Sequence, residues 1–309
     1  MEQLKRELMS TSPNIKDYST LILLSLIWSS SFIAIEFAIE TASPVIVAFG
    51  RTLLASIILI LIVIKRKKRL PKDLKTWKIF FWAGLVGASI PFMLFSWAQL
   101  YLDSGTAGIL MAFTPLTTLF LASIFTDDEK ITQKKTIGVM IGLFGVFILL
   151  GGIHIGFNEF GYLPPLAIIL ATIGYAISTI LLKKTTHLSS VVSSSGLMIM
   201  GNISLIPFLV WQWDILNFNV SLKSLIAISF LGIFPTAMGV VLMVQLIHRT
   251  SASFMSLQNY IVPGLAILWG IIFLDESFSL NILFGFLLII LGVAIASSKA
   301  SLSIFFNKT

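Results

Sequence analysis

The 309-residue chain contains no cysteine, which excludes a disulfide framework, a thiolate nucleophile and any zinc or iron–sulfur site built on sulfur. It has little charge: 11% of residues are Asp, Glu, Lys or Arg, where soluble domains carry about 25%. That shortage excludes an ordinary soluble enzyme, a disordered protein and a nucleic-acid-binding module. Histidine occurs three times, at His154, His187 and His248, with no metal-ligand spacing and no HExxH pattern. No glycine-rich loop ends in Lys-Ser or Lys-Thr, so the chain has no ATP-hydrolysing P-loop of its own. Neither a cofactor nor a metal is expected.

What is abundant is apolar surface. Hydrophobic residues make up 57% of the chain, and its mean hydropathy is +0.98. Ten apolar runs fall at about 19–39, 44–64, 79–101, 105–126, 137–153, 161–182, 189–212, 224–247, 252–274 and 279–298. Each approaches the roughly 20 residues that a membrane-crossing helix needs. None alternates with period two, and only helices or closed barrels satisfy their backbone groups in lipid. The expected fold is therefore all-α: a polytopic membrane protein of ten transmembrane helices joined by short connections. The polar residues 1–18 and 299–309 form its tails.

Charge placement orients the chain. With the N-terminus inside, 19 of the 21 Lys and Arg residues fall in cytoplasmic segments. Outside there is only Lys223, while Arg51 lies within a span. The positive-inside rule then predicts cytoplasmic termini in a bacterial-type inner membrane. The basic run Lys65–Arg69 reads as a topology anchor on a cytoplasmic loop, rather than a nucleic-acid site or a lipid-binding patch.

The sequence also repeats. Glu129-Lys-Ile-Thr, Gly138 and Gly145-Val146 recur as Glu276-Ser-Phe-Ser, Gly285 and Gly292-Val293, each 147 residues on. Trp28 and Ser31 match Tyr175 and Ser178 at the same offset, Pro115 matches Pro263 at 148, and Gln99 matches Gln245 at 146. Two halves, 19–153 and 161–298, each hold five spans. An odd number turns the second half upside down, and inverted repeats of this kind are typical of transporters.

Several segments carry a resemblance to a known family. They are Leu-Ile-Trp28-Ser-Ser-Ser-Phe in the first run, Ala48-Phe-Gly-Arg51-Thr-Leu-Leu-Ala in the second, Thr114-Pro115-Leu in the fourth, and the two Glu/Gly/Gly blocks. Together they resemble an EamA-type member of the drug/metabolite transporter superfamily across residues 19–298. The Thr126-Asp-Asp-Glu129 turn departs from the family's more usual Leu-Gly-Glu. The resemblance implies a basket of helices 1–4 and 6–9 around a central cavity, with helices 5 and 10 outside. It also implies export or exchange of small metabolites, commonly amino acids and amphipathic compounds.

Polar residues within apolar runs point to the site, because an unpaired buried polar group costs about 1–3 kcal/mol. The cavity candidates are Trp28, Ser31, Trp97, Gln99, Thr114, Tyr175, Ser178, Gln245, Gln258, Asn259 and Tyr260. For each, the bland reading is packing or interhelical bonding. Prolines 91, 115, 235 and 263 fall inside spans and kink them, for packing or for gates. Gly138, Gly142 and Gly145 share one face, as do Gly285 and Gly292; they form a packing seam or a homodimer face. Glu36 and Arg51 are the two charges placed within spans. They are either structural, as an ion pair or as an Arg bonded to carbonyls with a Glu that snorkels outward, or functional, coupling gating to protonation or steering a charged end of the substrate.

The expected function is secondary transport of a small metabolite, outward in direction, by alternating access. The expected partners are that solute and the lipid bilayer, with no nucleic acid. A membrane receptor or scaffold, which binds without flux, is the alternative. An intramembrane enzyme is a weaker one, because no Cys, no histidine pair and no deep Asp supplies a nucleophile and base.

Overall fold

The computed structural model describes residues 13–102, 104–126, 129–149, 160–212, 219–265 and 280–297. The helices are α1 (Ile15–Ile39), α2 (Pro44–Lys65), α3 (Leu74–Ala98), α4 (Ser104–Met111), α5 (Thr114–Phe125), α6 (Gln133–Leu149), α7 (Leu163–Lys183), α8 (Ser190–Trp211), α9 (Leu222–Arg249), α10 (Ala252–Ser256) and α11 (Leu280–Ser297). Residues 258–265 are also helical, after a break at Leu257. Among the described residues there is no strand.

Six helices, α1, α2, α3, α7, α8 and α9, are long and apolar enough to cross a membrane. They turn large apolar side chains outward, among them Ile22, Leu61, Leu170, Ile206 and Ile226. Such a surface suits lipid and would be a liability in water.

Helix starts lie where capping chemistry puts them, not where hydropathy begins. α1 begins four residues before the expected position 19. Asn14 Oδ1 accepts the Lys16 and Asp17 amides at 2.9 and 3.2 Å, and Asp17 returns the bond to the Asn14 amide at 3.0 Å. This capping box makes a polar first turn that an apolar-run reading passes over. α3 begins at Leu74 rather than 79, because Asp73 caps the Thr76 amide at 2.8 Å. α2 ends with Lys67 at φ 52, its helix closed by the Lys68 amide on the Val63 carbonyl at 3.0 Å.

The expected fourth span is two helices, not one. Pro115 has no N–H to give the Met111 carbonyl four residues back, so the α-ladder breaks between α4 and α5. The Thr114 hydroxyl bonds that carbonyl instead, at 2.6 Å. The ninth run is interrupted at Leu257 and passes beyond the described residues after 265.

α3 and α9 each contain a wider π turn, at Leu85–Ser89 and Gly232–Met238, whose starts are 147 residues apart. Ser89 and Thr236, also 147 apart, both donate to a carbonyl five residues back: Gly84 at 3.2 Å and Leu231 at 2.7 Å. Leu231 is also the carbonyl to which Pro235, four residues on, has no N–H to give. The repeat is thus preserved in irregular backbone, where functional sites concentrate.

Packing crosses between the halves. α2 lies chiefly on α8, α3 on α7 and α8, α1 on α9, and α6 on α11. One end of the bundle joins Asp17, Glu129, Lys183, Arg249 and Ala252 through ion pairs and hydrogen bonds; it is called the basic end below. The other end joins Glu40 to Lys223, and Thr41 to Ser221 and Ser224.

Candidate functional site

A cavity lies between the halves and encloses about 870 Å³ of empty space, its mouth included. Its walls begin with a helical stripe on α1: Trp28, Ser31, Phe32 and Ile35, spaced i, i+3, i+4, i+7. α7 supplies Tyr175, Ser178 and Thr179, which are Trp28, Ser31 and Phe32 displaced by 147 residues. The same three positions of both repeats therefore face one space.

Each stripe is anchored on the opposite half. The Trp28 indole N–H donates to the Pro235 carbonyl, in the π turn of α9, at 2.8 Å. Its ring occupies the place that a side chain at Gly239 would fill, with Nε1 2.5 Å from a Cβ built there. The Ser178 hydroxyl donates to the Ala83 carbonyl, just before the π turn of α3, at 2.9 Å. Gly87 leaves room for it, since a Cβ there would lie 2.1 Å from Ser178 Oγ.

An aromatic wall continues across α3. Phe95 meets Phe32 at 6.4 Å and Tyr175 at 6.2 Å between ring centroids, and Phe92 completes it. Met111, Thr114, Leu197, Val240, Met243 and Met255 close the remaining faces. Gln258 and Asn259 line the wall after Leu257, 0% and 3% exposed. Both amide atoms of Gln258, and Asn259 Oδ1, have no hydrogen-bond partner among the described residues. Asn259 Nδ2 bonds the Ser256 carbonyl at 3.1 Å.

Arg51, 4% exposed, is the one charged side chain of the lining among the described residues. Its Nε donates to Thr236 Oγ1 at 2.9 Å, and its guanidinium lies 3.8 Å from the centre of the Phe92 ring. An ion pair with Glu36, one of the alternatives, does not form: Glu36 is on the exposed face of α1, one residue past Ile35 on a helix whose cavity face is set by Trp28 and Phe32.

Thus Trp28, Ser31, Thr114, Tyr175, Ser178, Gln258, Asn259 and Arg51 come together at the cavity, and besides Glu36 four candidates do not. Trp97 stacks with Tyr101 and Phe160, ring centroids 5.5 and 6.1 Å away, toward the end opposite the basic one. Gln99 follows α3 as its C-cap, its amide donating to the Phe32 carbonyl at 3.4 Å. Gln245 is half-buried away from the lining. Tyr260 is fully buried as a packing residue: its hydroxyl bonds the Val139 carbonyl at 2.8 Å, and its ring fills the space beside Gly142. His154 and Trp213 lie outside the described residues.

Phe32, Ile35, Phe92, Phe95 and Thr179 were not among the candidates. For Phe32, Ile35 and Thr179 a signal existed: they continue the i, i+3, i+4 faces begun by Trp28 and Tyr175. The phenylalanines of α3 had none, because an apolar side chain in a membrane span is unremarkable whichever way it points.

Among the described residues the lining contains no carboxylate, histidine or cysteine. Among the described residues no three His, Cys, Asp or Glu side chains assemble to hold a metal. Residues 16–151 and 163–298 each match the EamA-like transporter family. The chain belongs to this family. A protein of Archaeoglobus fulgidus named as an uncharacterized transporter is 28% identical, over 92% of this chain and all of its own. An S-adenosylmethionine/S-adenosylhomocysteine transporter of Chlamydia trachomatis is 30% identical, over 88% of this chain and 86% of its own. A protein of known crystal structure superposes with a TM-score of 0.73 over 92% of this chain and 97% of its own, at 18% identity. That last likeness is one of fold.

Proposed function

We propose that this EamA-family member is a ten-span secondary transporter, with both termini cytoplasmic. It exports a small metabolite, an amino acid or an amphipathic compound, by alternating access. The observation that carries the reading is the repeat-matched lining: positions 28, 31 and 32 of one half and 175, 178 and 179 of the other face one cavity. A site shared by two related halves can be opened to either side by moving one half against the other.

Inversion of the halves supports it. Asp17 at the start of α1 pairs with Arg249, and Lys183 at the end of α7 pairs with Glu129, which also holds the Ala252 amide three residues past Arg249; both therefore lie at the basic end, and these repeat-related helices run in opposite directions. The paired π turns place irregular backbone, with a carbonyl bonded from the other half, beside the cavity on both sides. Flexible joints of this kind are tolerated in membranes where they line a cavity. The relatives named as transporters favour flux over a receptor or scaffold role.

The test is flux. The purified chain is reconstituted in liposomes and offered amino acids, nucleosides and cationic drugs, with and without a pH gradient. Accumulation or counterflow of at least one class above protein-free vesicles is expected. Saturable binding without flux of any bound compound would overturn transport and favour the receptor reading.

A further inference from the structure

The cavity holds a cation without a counterion. Arg51 is buried, and its only protein hydrogen bond among the described residues is Nε to Thr236. Its two terminal amino groups, four of its five N–H donors, make none. Among the described residues no Asp or Glu lines the cavity, and Glu36 is on the exposed face of α1. A buried charge that lacks a partner is strongly disfavoured. A chain keeps one where a ligand supplies the opposite charge, or where water does. A second unmatched group lines the same cavity: among the described residues Gln258 has both a donor and an acceptor idle, and Asn259 an acceptor, all buried. The rest of the lining is mostly aromatic and apolar, with the hydroxyls of Ser31, Thr114, Ser178 and Thr179 among it.

We infer that the pocket is built for a small organic monoanion: its carboxylate docks on the Arg51 guanidinium, its aromatic or aliphatic body lies among Trp28, Phe92 and Tyr175, and a polar group at its far end meets Gln258 and Asn259. This rests on the transport reading for the use of the site and adds the chemistry of what enters. The planar fork of Arg matches a carboxylate through two parallel bonds. One cation balances one negative charge, which favours a carboxylate over a doubly charged phosphate ester. Phe92 beneath the guanidinium fixes its plane without neutralising it. Fixed cations are rejected, since nothing negative receives them and Arg51 repels them.

The experiment uses the purified full chain in lipid nanodiscs, free of flux. Matched trios of carboxylic acid, primary amide and primary amine are built on phenyl, indolyl and hexyl bodies. Binding is measured by calorimetry and by thermal shift, with chloride titrated as a control. The acids are expected to bind about 10- to 100-fold tighter than their amides, the worth of a charge-assisted pair, and the amines weakest. Arg51→Gln should erase the difference between acid and amide, while Arg51→Lys keeps its sign. Gln258→Leu should weaken bodies carrying a distal polar group and leave hexanoate unchanged. Equal or tighter binding of the amines, no binding of any acid at millimolar concentration, or a chloride effect equal to that of the acids would each overturn the inference. These wild-type outcomes decide it even if Arg51→Gln fails to fold. Flux separates this inference from the transport reading. Amines carried across liposomes would keep transport and sink the anion site, whereas acids bound but not carried would do the reverse.

Discussion

Arg51 and Thr236 are joined across the two halves by a hydrogen bond of 2.9 Å in which the guanidinium, a donor only, gives its Nε–H to the Thr236 hydroxyl oxygen. Pro235 leaves the Leu231 carbonyl without its helical donor. The Thr236 hydroxyl spends its single proton there, at 2.7 Å, and so offers Arg51 only a lone pair. Thr236→Val removes both contacts in one step. It should lower stability by about 1–3 kcal/mol, the cost of leaving a buried polar group unpaired. Thr236→Ser should restore most of the loss, because only the hydroxyl is required. Thermal unfolding in a fixed detergent reads the order of wild type, Ser and Val. A Val variant as stable as wild type would show that Arg51 finds another acceptor.

The seam between α6 and α11 is closed by glycine against backbone. A Cβ on Gly138 would stand 2.5 Å from the Ala296 amide nitrogen and 2.6 Å from the Gly292 carbonyl, and one on Gly292 would stand 2.5 Å from the Gly142 nitrogen. These neighbours cannot swing aside. Gly138→Ala and Gly292→Ala should each cost about 1–3 kcal/mol by forcing the helices apart. Gly108→Ala is the control: its Cβ would meet the Pro263 ring at an ordinary 3.5 Å, and helix propensity favours alanine. Expression and thermal unfolding of the three variants should separate the control from the other two. The seam glycines are used within one chain, which removes them as the basis for a dimer face.

Much of this was legible from residue type and spacing. The spans were visible because lipid demands apolar length, and the repeat was visible because its glycines, prolines and polar side chains sit at fixed offsets. Trp28, Tyr175 and Ser178 could be picked as matched polar marks in otherwise apolar helices. Tyr260 shows where that logic stops: polarity in a span predicts that a partner exists, and its partner is a carbonyl of α6 rather than a solute. Gln99 and Trp97 mislead for a related reason, since a helix end needs caps and belts whether or not a cavity is near. The Arg51–Glu36 pairing failed because depth along a helix was considered without rotation about its axis. The π turns left no reading in the sequence, although Pro91 and Pro235 stand beside or within them.

Asp73 ties local stability to pH. Its carboxylate caps α3 through the Thr76 amide, and this bond holds its pKa below the ordinary value of 3.8. A folded-state pKa below the unfolded one means stability that is present in full above about pH 3.8 and is lost as pH falls through the lowered value. Hydrogen exchange at the Thr76 amide should therefore be protected at neutral pH and accelerate, relative to its intrinsic rate, in acid. Asp73→Asn keeps a capping oxygen and should flatten the acid dependence. Asp73→Ala should remove protection at every pH. An acid dependence that persists in the Asn variant would assign it to another group.

Topology can be read without background, because there is no native cysteine. Single cysteines at Lys67 and Lys184, both exposed beside the basic end, should react with an impermeant maleimide only in inverted vesicles. One at Tyr162, 67% exposed near the other end, should react in intact cells. Labelling of position 67 from outside would reverse the proposed orientation.

The basic end is closed by a carboxylate rather than by apolar packing. Glu129, 1% exposed, accepts the Ala252 and Ser253 amides at 2.7 and 3.0 Å, and Lys183 pairs with it at 3.2 Å. It thereby joins the α5–α6 connection of the first half to α7 and the start of α10 in the second, where amides exposed at a helix N-terminus favour a negative charge. Arg249 and Asp17 add a further bond across the halves at 3.1 Å. Alternating access requires these contacts to part whenever the cavity opens at this end. Removing one member of a buried pair costs about 3–5 kcal/mol in the state that contains it, and nothing in a state where the pair is already separated. Glu129→Ala should therefore shift the population toward opening at the basic end, with Glu129→Gln intermediate because it keeps an acceptor. A cysteine at Met255, which lines the cavity near this end, reports the shift. Its labelling from the basic side should accelerate by about tenfold or more in the Ala background, the response to a bias of about 1.4 kcal/mol, while labelling of Lys67→Cys on the same side stays unchanged. Flux should fall at the same time, since a carrier held open to one side completes few cycles. If position 255 reacts at the wild-type rate in a folded Glu129→Ala protein, Glu129 holds the fold together without gating the cavity.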